Sequence, residues 1–493
     1  MTLMNRLHEN IFLPALMALA CASAQGEVKL PSLIAANMVL QQQTDARLWG
    51  TARPGKEVTV AVSWDTTPVK TKAGKDGTWL VSVPTPGATS EPQHISFTDP
   101  DGSVTISDVL IGEVWFCAGQ SNMEMPVRGF DRQPVEGSLD AILDARPSRP
   151  IRMYRVDNRL SSSPLAECSG EWRKNTPEGV AACSATAYFF ADYLNRQLDV
   201  PVAVITAHIG GTRVQPWMSR ESAVACGLDV RHLDTAVNLK TREVHQLPAM
   251  IYNGMVAPAT NFTVKGMLWY QGESNSSDPD LYDRLMPAFV ADMREKFGLG
   301  EIPFYYVQVA PYARYGGKEL EGIASLRVAQ ARMMDKVPNC GMAVTLDIGD
   351  PACIHPARKK EVGQRLALWA LAKTYNANPF AWSGPIFDHM EYQDPKKERP
   401  ARPDKVYLYF NNTGGGVAPL ERPLDGFEAA GPDGVWHPAE AIVEGGPGLL
   451  AVTCPAAGKI EKVRYGYRPY FEATLFDNFG LPASPFITDG ALR

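Results

Sequence analysis

The sequence predicts an α/β protein: a parallel sheet flanked by helices, with a β-sandwich-like domain at each end. Between about residues 108 and 381, apolar runs rich in β-branched and aromatic residues alternate with segments of helical periodicity. That alternation is the signature of parallel βαβ units. Over 25–107 and 382–493 the helical periodicity vanishes, and short strand-like runs are separated by Gly and Pro clusters. At 493 residues the chain also exceeds one ordinary core, so several domains are expected.

Residues 1–24 read as a secretory signal peptide. Arg6 supplies a positive start, residues 11–20 a short apolar core, and Ala22-Ser23-Ala24 a small-residue cleavage site. A secreted or periplasmic protein beginning at Gln25 is expected. Lipid anchoring at Cys21 is the lesser alternative, because Ala18 stands where a lipobox prefers Leu. No other stretch is long and apolar enough to span a bilayer.

In the 25–107 domain, 58–62 and 79–83 read as strands between turns at Pro54-Gly55, 74–77 and 84–87. In the 108–381 domain, strands are expected at 109–117, 200–205, 264–268, 304–309 and 342–346. Ala187, Ala191, Leu194 and Leu198 share one helical face, as do Leu281, Leu285, Phe289, Met293 and Phe297. Val362, Leu366, Trp369 and Leu371 approximate a third. In the 382–493 domain, 406–410, 449–453 and 462–467 read as strands, with a turn cluster at 411–416.

A net charge of −6, with no basic run, argues against a nucleic-acid partner. Of eight cysteines, seven survive cleavage, so at least one is unpaired within the chain. Cys168 and Cys183 are the closest pair and open to bridging. No spacing resembles a zinc site.

Four expected strands each end in a Gly-containing loop with polar residues. These are Ala118-Gly119-Gln120-Ser121, His208-Ile209-Gly210-Gly211-Thr212-Arg213, Trp269-Tyr270-Gln271-Gly272-Glu273-Ser274-Asn275, and Asp347-Ile348-Gly349-Asp350 leading to Ile354-His355-Pro356. Open α/β sheets assemble active sites from such strand ends. Ser121 is the candidate nucleophile, with a helix cap as the bland alternative. His355, on a loop before a Pro-initiated helix, is the candidate base, against a plain surface histidine. His208 reads as packing.

GQSNME, GGT with a following Trp, WYQGESN and a late IHP resemble the sialate O-acetylesterase group of SGNH-type hydrolases. LPSLIAANMVLQQ near the start and GLPASPFITD near the end extend the resemblance over nearly the whole mature chain. It implies an SGNH-hydrolase-like catalytic domain and an oxyanion hole from the N–H groups of Ser121 and Gly211 with the Gln271 amide. Gly210 is the alternative backbone donor. Many SGNH hydrolases place Asp three residues before the histidine. Here that residue is Ala352, so Asp350 is taken as the orienting acid, with Asp347 or a backbone carbonyl as alternatives. Glu124, Arg213, Trp217 and Glu273 are the expected substrate-binding groups, each balanced by a scaffolding role.

The expected activity is therefore an exported serine esterase acting on O-acetylated carbohydrate, most simply O-acetylated sialic acid, through an acetyl-enzyme. No metal or organic cofactor is required. The rivals are an acetylxylan or other plant-polysaccharide esterase, and a non-catalytic carbohydrate-binding protein on the same fold.

Overall fold

The computed structural model describes residues 28–235, 243–315, 318–319, 322–377, 380–392, 400–419, 423–444 and 446–488. The expected signal segment 1–24, with Cys21, lies outside them. The architecture is a large mixed sheet flanked by helices, with further β-sheets toward the C-terminus.

One 18-residue strand, β1 (Gly102–Gly119), organises the molecule. Its first half alternates exposed and buried positions and pairs antiparallel with Thr89–Asp99. From Val109 onward every residue is buried. This change follows the sequence, which shifts from Ser103-Val104-Thr105 alternation to the unbroken apolar run that a strand covered on both faces requires. One strand thus runs from the N-terminal β region into the catalytic sheet, straight across position 108.

The short helix α1 (Ser121–Glu124) follows, then β2 (Ile151–Val156), β3 (Gly170–Lys174), α2 (Ala185–Leu198), β4 (Val202–His208) and β5 (Gly266–Tyr270). After these come α3 (Pro279–Phe297), β6 (Phe304–Val307), α4 (Ile323–Lys336), β7 (Cys340–Ala343) and α5 (Lys359–Trp369). The sheet order is β7-β6-β5-β1-β4-β2-β3, parallel except for the β2–β3 pair. The chain builds β2, β3 and β4 on one side of β1 and then crosses to the other. The end of β1 is therefore the topological switch point, where open α/β sheets leave a crevice. Register sets His208, Gly119 and Tyr270 level with one another, so three strand ends are flush there.

Alternation along β1 divides the core. Trp115 and Cys117 face α2 and α5, against Phe190, Leu194, Leu366 and Trp369. Phe116 and Ala118 face α3 and α4, against Phe289, Phe297, Leu326 and Met333. Each such buried side chain contributes about 1.5–3 kcal/mol. Helix ends are set locally: Ser184 Oγ accepts from the Ala187 N–H at 3.3 Å, and Asp278 Oδ1 from Leu281 at 3.0 Å.

Beyond α5, two four-stranded antiparallel sheets form, one from 386–391, 405–411, 440–443 and 449–453, the other from 427–430, 436–438, 462–465 and 486–487. Fully buried Arg327 of α4 donates to the carbonyls of Arg468 and Pro469 and so fastens this region to the helical layer. All seven described cysteines are free thiols, so Cys168 and Cys183 are not bridged. Among the described residues no helix is long and apolar enough to cross a membrane.

Gly119 lets the strand ends close up. Its φ is +150°, and a Cβ there would lie 2.1 Å from the Tyr270 carbonyl oxygen. Gly119→Ala is expected to lower the thermal midpoint by roughly 5–10 °C. Differential scanning calorimetry checks this, and an unchanged midpoint would contradict the packing.

Candidate functional site

Ser121 begins α1 at the switch point. The chain leaves β1 with the Gln120 N–H bonded to the Tyr270 carbonyl at 3.0 Å, and the Met123 and Glu124 N–H groups return to the Gln120 carbonyl at 2.9 Å. The first N–H groups of any helix lack an internal acceptor, and the Ser121 N–H has no partner among the described residues. Gly210 forms the adjacent wall: a Cβ there would sit 3.4 Å from Ser121 Cβ. The Gly210 N–H is taken by Glu124 Oε2 at 2.7 Å, so Gly210 is not the spare donor. Gly211 adopts φ +73°, its carbonyl is held by Gln246 Nε2 at 2.5 Å, and its own N–H has no partner among the described residues. Two of the three expected oxyanion donors are thus available.

The third is corrected. Gln271 is fully buried, and its two N–H groups are spent on the Thr212 carbonyl at 3.1 Å and Asn275 Oδ1 at 2.8 Å. An amide with both donors committed is a brace between two strand-end loops. Asn275 extends the brace, accepting from the Val214 N–H at 3.0 Å and donating to Gln215 at 3.1 Å.

The buried layer beneath Ser121 is built on Asn122. Its Nδ2 donates to Glu273 Oε1 at 2.6 Å and to the Ile354 carbonyl at 3.1 Å, while its Oδ1 accepts from Lys359 Nζ at 2.8 Å. Lys359 also donates to the Pro356 carbonyl at 2.7 Å. The residue after Ser121 is thus bonded to the residue before His355, which ties together the two segments that carry the expected catalytic groups. Burial pushes the Glu273 carboxyl up, and it pulls Lys359 down to about 7 against the Glu273 charge. The substrate-binding role expected of Glu273 is corrected, because its carboxylate faces this inner layer and not solvent.

His355 is held from Nδ1, which lies 2.6 Å from Gln133 Oε1. Cys353 Sγ also approaches that oxygen, at 3.7 Å. A carbonyl oxygen at Nδ1 selects the Nδ1–H tautomer and leaves Nε2 as the basic nitrogen. The orienting role expected of Asp350 is therefore corrected. Asp350 Oδ1 accepts from the N–H groups of Ala352 at 2.7 Å and Cys353 at 3.1 Å, closing its own turn. Asp347, the other upstream acid, forms a two-pronged ion pair with Arg365, both contacts at 2.6 Å. Burial, then the Lys359 charge, lowers His355 to about 4, so the imidazole is neutral at physiological pH.

Trp217 is corrected as well. It is fully buried, bonds Thr212 Oγ1 through Nε1 at 3.1 Å and packs edge-on against Trp269 at 5.5 Å, so no face is left for a sugar. Arg213 is exposed beside the Gly210-Gly211 loop. Burial raises the Glu124 carboxyl, opposed by its bond from Gly210. His208 ends β4 buried among packing neighbours. Among the described residues no three His, Cys, Asp or Glu side chains converge to hold a metal ion.

Sequence reasoning missed Gln133, Asn122 and Lys359. Asn122 lay inside a recognised motif but had no assigned role. Lys359 sits in a Lys-Lys pair that reads as a solvated helix start. Gln133 lies in a turn-rich stretch with no periodicity to mark it.

Residues 111–372 match the profile of the family described as carbohydrate esterase, sialic acid-specific acetylesterase. The chain is 29% identical to human sialate O-acetylesterase over 398 residues, 74% of each chain. It is 27% identical to the sialate O-acetylesterase of Rattus norvegicus over 517 residues, covering 91% of this chain and 92% of that one. A solved carbohydrate acetylesterase from Xanthomonas citri is 31% identical, with a TM-score of 0.82, covering 94% of this chain and all of its own.

Three outcomes follow from this geometry. With His355 as the base, at about 4, its neutral form is lost only as pH falls through that value, so ester hydrolysis should persist at pH 5. Gln133→Glu places a carboxylate at Nδ1, stabilises the imidazolium and should move the acid limb of the kcat/KM profile upward by about one unit or more; an unmoved limb would contradict the assigned contact. Lys359→Met removes the cation from the Asn122–Glu273 layer and strands buried acceptors. It should destabilise the protein by about 3–5 kcal/mol, read from urea unfolding, and a change below 1 kcal/mol would count against the network.

Proposed function

The chain belongs to the sialic acid-specific acetylesterase family of carbohydrate esterases, and on that premise we propose that it is an exported serine esterase removing O-acetyl groups from sialic acid. It is a carboxylic ester hydrolase, which sets aside a non-catalytic carbohydrate-binding protein. The observation that carries the serine mechanism is the position of Ser121. It opens a helix at the switch point, beside the Gly210-Gly211 turn, and the N–H groups of Ser121 and Gly211 both lack an acceptor among the described residues.

In this reading Ser121 Oγ attacks the acetyl carbonyl carbon while His355 Nε2 takes the hydroxyl proton. The negative charge on the carbonyl oxygen is met by the N–H groups of Ser121 and Gly211. The tetrahedral intermediate collapses, the C–O bond to the sugar breaks, and the imidazolium returns its proton to the departing sugar oxygen. Water then attacks the acetyl-enzyme, His355 again takes the proton, and acetate leaves with Ser121 restored. Gln133 keeps Nε2 aimed at this reaction but supplies no charge. The imidazolium of the intermediate therefore depends on the developing oxyanion and on returning its proton quickly. Export rests on the charged start, apolar core and small-residue site of residues 1–24.

Acetate release should be measured from O-acetylated sialic acid and from acetylated xylo-oligosaccharide. A higher kcat/KM on the sialic acid is expected, and preference for the xylan fragment would replace the proposed substrate. Ser121→Ala should reduce kcat on either by at least about a thousandfold and abolish labelling by a serine-directed phosphonate. Retained labelling would remove Ser121 from the nucleophile position.

A further inference from the structure

A cavity of about 520 Å³ opens along β2 and β3, bordered by Arg155, Asp157, Glu171, Arg173, Cys183 and Thr206. It lies on the β2–β3 side of Ser121, whereas His355 approaches on the loop after β7, from the other edge of the sheet. The link to the site is short. Glu124, in the last position of α1, holds the Gly210 N–H with Oε2, and its Oε1 lies 3.9 Å from Arg155 Nη2. Gly210 in turn borders Ser121. The volume falls within the range of about 300–1,000 Å³ typical of small-molecule sites.

The cationic groups of this cavity differ in what they are free to do. Arg173 is occupied: its Nε and Nη2 both bond Glu171 Oε1, at 2.8 and 2.6 Å. Arg155 is not. Its side chain is 52% exposed, and the single long contact to Glu124 leaves most of its N–H fork without a partner among the described residues. Its backbone is nonetheless fixed, because Arg155 sits within β2, in register with Thr206 of β4 and Glu171 of β3. Burial has also raised the Glu124 carboxyl, which weakens its claim on the guanidinium. A planar fork of donors at a strand end, next to acceptors on Asp157 and Glu171, matches a planar carboxylate flanked by hydroxyl or amide groups.

We propose that Arg155 is a specificity-determining residue that takes the carboxylate of an anionic acetylated sugar bound in this cavity, selecting acidic sugars over neutral ones. The inference rests on the reading of sialic acid as substrate, and it names the residue by which that substrate is told apart. Nucleophile and base need no charge on the sugar to do their chemistry. Discrimination therefore falls to a group outside the reacting centre, through binding of the part of the sugar remote from the acetyl ester.

The test compares acetate release from O-acetylated sialic acid, from its carboxyl methyl ester, and from p-nitrophenyl acetate. The methyl ester removes the charge and keeps the rest of the sugar. Wild type should favour the free acid over the methyl ester by about tenfold to a hundredfold in kcat/KM, chiefly through KM, and high salt should narrow the gap. Arg155→Met should collapse this ratio toward one, and Arg155→Lys should restore part of it. Equal wild-type turnover of acid and methyl ester would overturn the proposal while leaving sialic acid as substrate, and needs no variant. An unchanged ratio in folded Arg155→Met, verified by its thermal midpoint, would also overturn it and assign the carboxylate to another group. Wild-type activity on p-nitrophenyl acetate with none on the acetylated sialic acid would overturn the substrate reading, and the inference with it.

Discussion

The side chain of Asn122 is the point on which the site depends. It is fully buried, and its amide bonds Glu273, the Ile354 carbonyl and Lys359 at once. Those partners belong to the loop after β5, the loop after β7 and the start of α5. A planar amide with fixed donor and acceptor directions sets where three chain segments stand relative to Ser121, one residue away. At this degree of burial an unmet partner costs about 1–3 kcal/mol, more if charged. The same constraint explains why a lysine and a glutamate are tolerated at full burial. Each is a partner that the amide requires, and each offsets the other's charge.

The hydrogen bonds divide the motif residues into those that brace the loops and those that keep donors uncommitted. Gln271, through its amide nitrogen, and Asn275, Gln120 and Trp217 are bonded into the scaffold. Ser121 and Gly211 retain N–H groups with no acceptor among the described residues. A site needs both classes, because a donor can be aimed at a developing charge only if the loop carrying it has no other freedom. The Gln120 carbonyl oxygen of the side chain, bonded by the Gly272 and Ser274 N–H groups at 3.3 and 3.4 Å, holds the loop after β5 in the same way.

The histidine operates in an unusual electrostatic setting. Its Nδ1 partner is a neutral amide, and a buried ammonium lies nearby. Burial and the Lys359 charge disfavour the imidazolium, and the neutral Gln133 amide brings no charge to offset them, so the imidazole is neutral over a wide pH range but weakly basic. A carboxylate at Nδ1 would trade that range for a stronger base. The turn in which Asp350 is tied to its own backbone shows how this loop satisfies its acid locally.

Much of this was legible in the sequence. Period-two and period-3.6 patterns located the strands and helices of the central sheet. Gly-rich loops after four apolar runs located the crevice, because backbone turns and burial leave local marks. Ser121 and His355 stood out as candidates for that reason. The sequence alone did not determine which polar side chains face inward: Gln271, Trp217 and Glu273 sit in loops of the right composition and point the wrong way for substrate. Nor did it mark Gln133, which reaches His355 across 222 positions of chain. The physical reason is range. Strand, turn and helix-start signals arise between residues a few positions apart, whereas the direction of a side chain and the identity of its hydrogen-bond partner are decided only when distant segments compete for the same buried donors and acceptors.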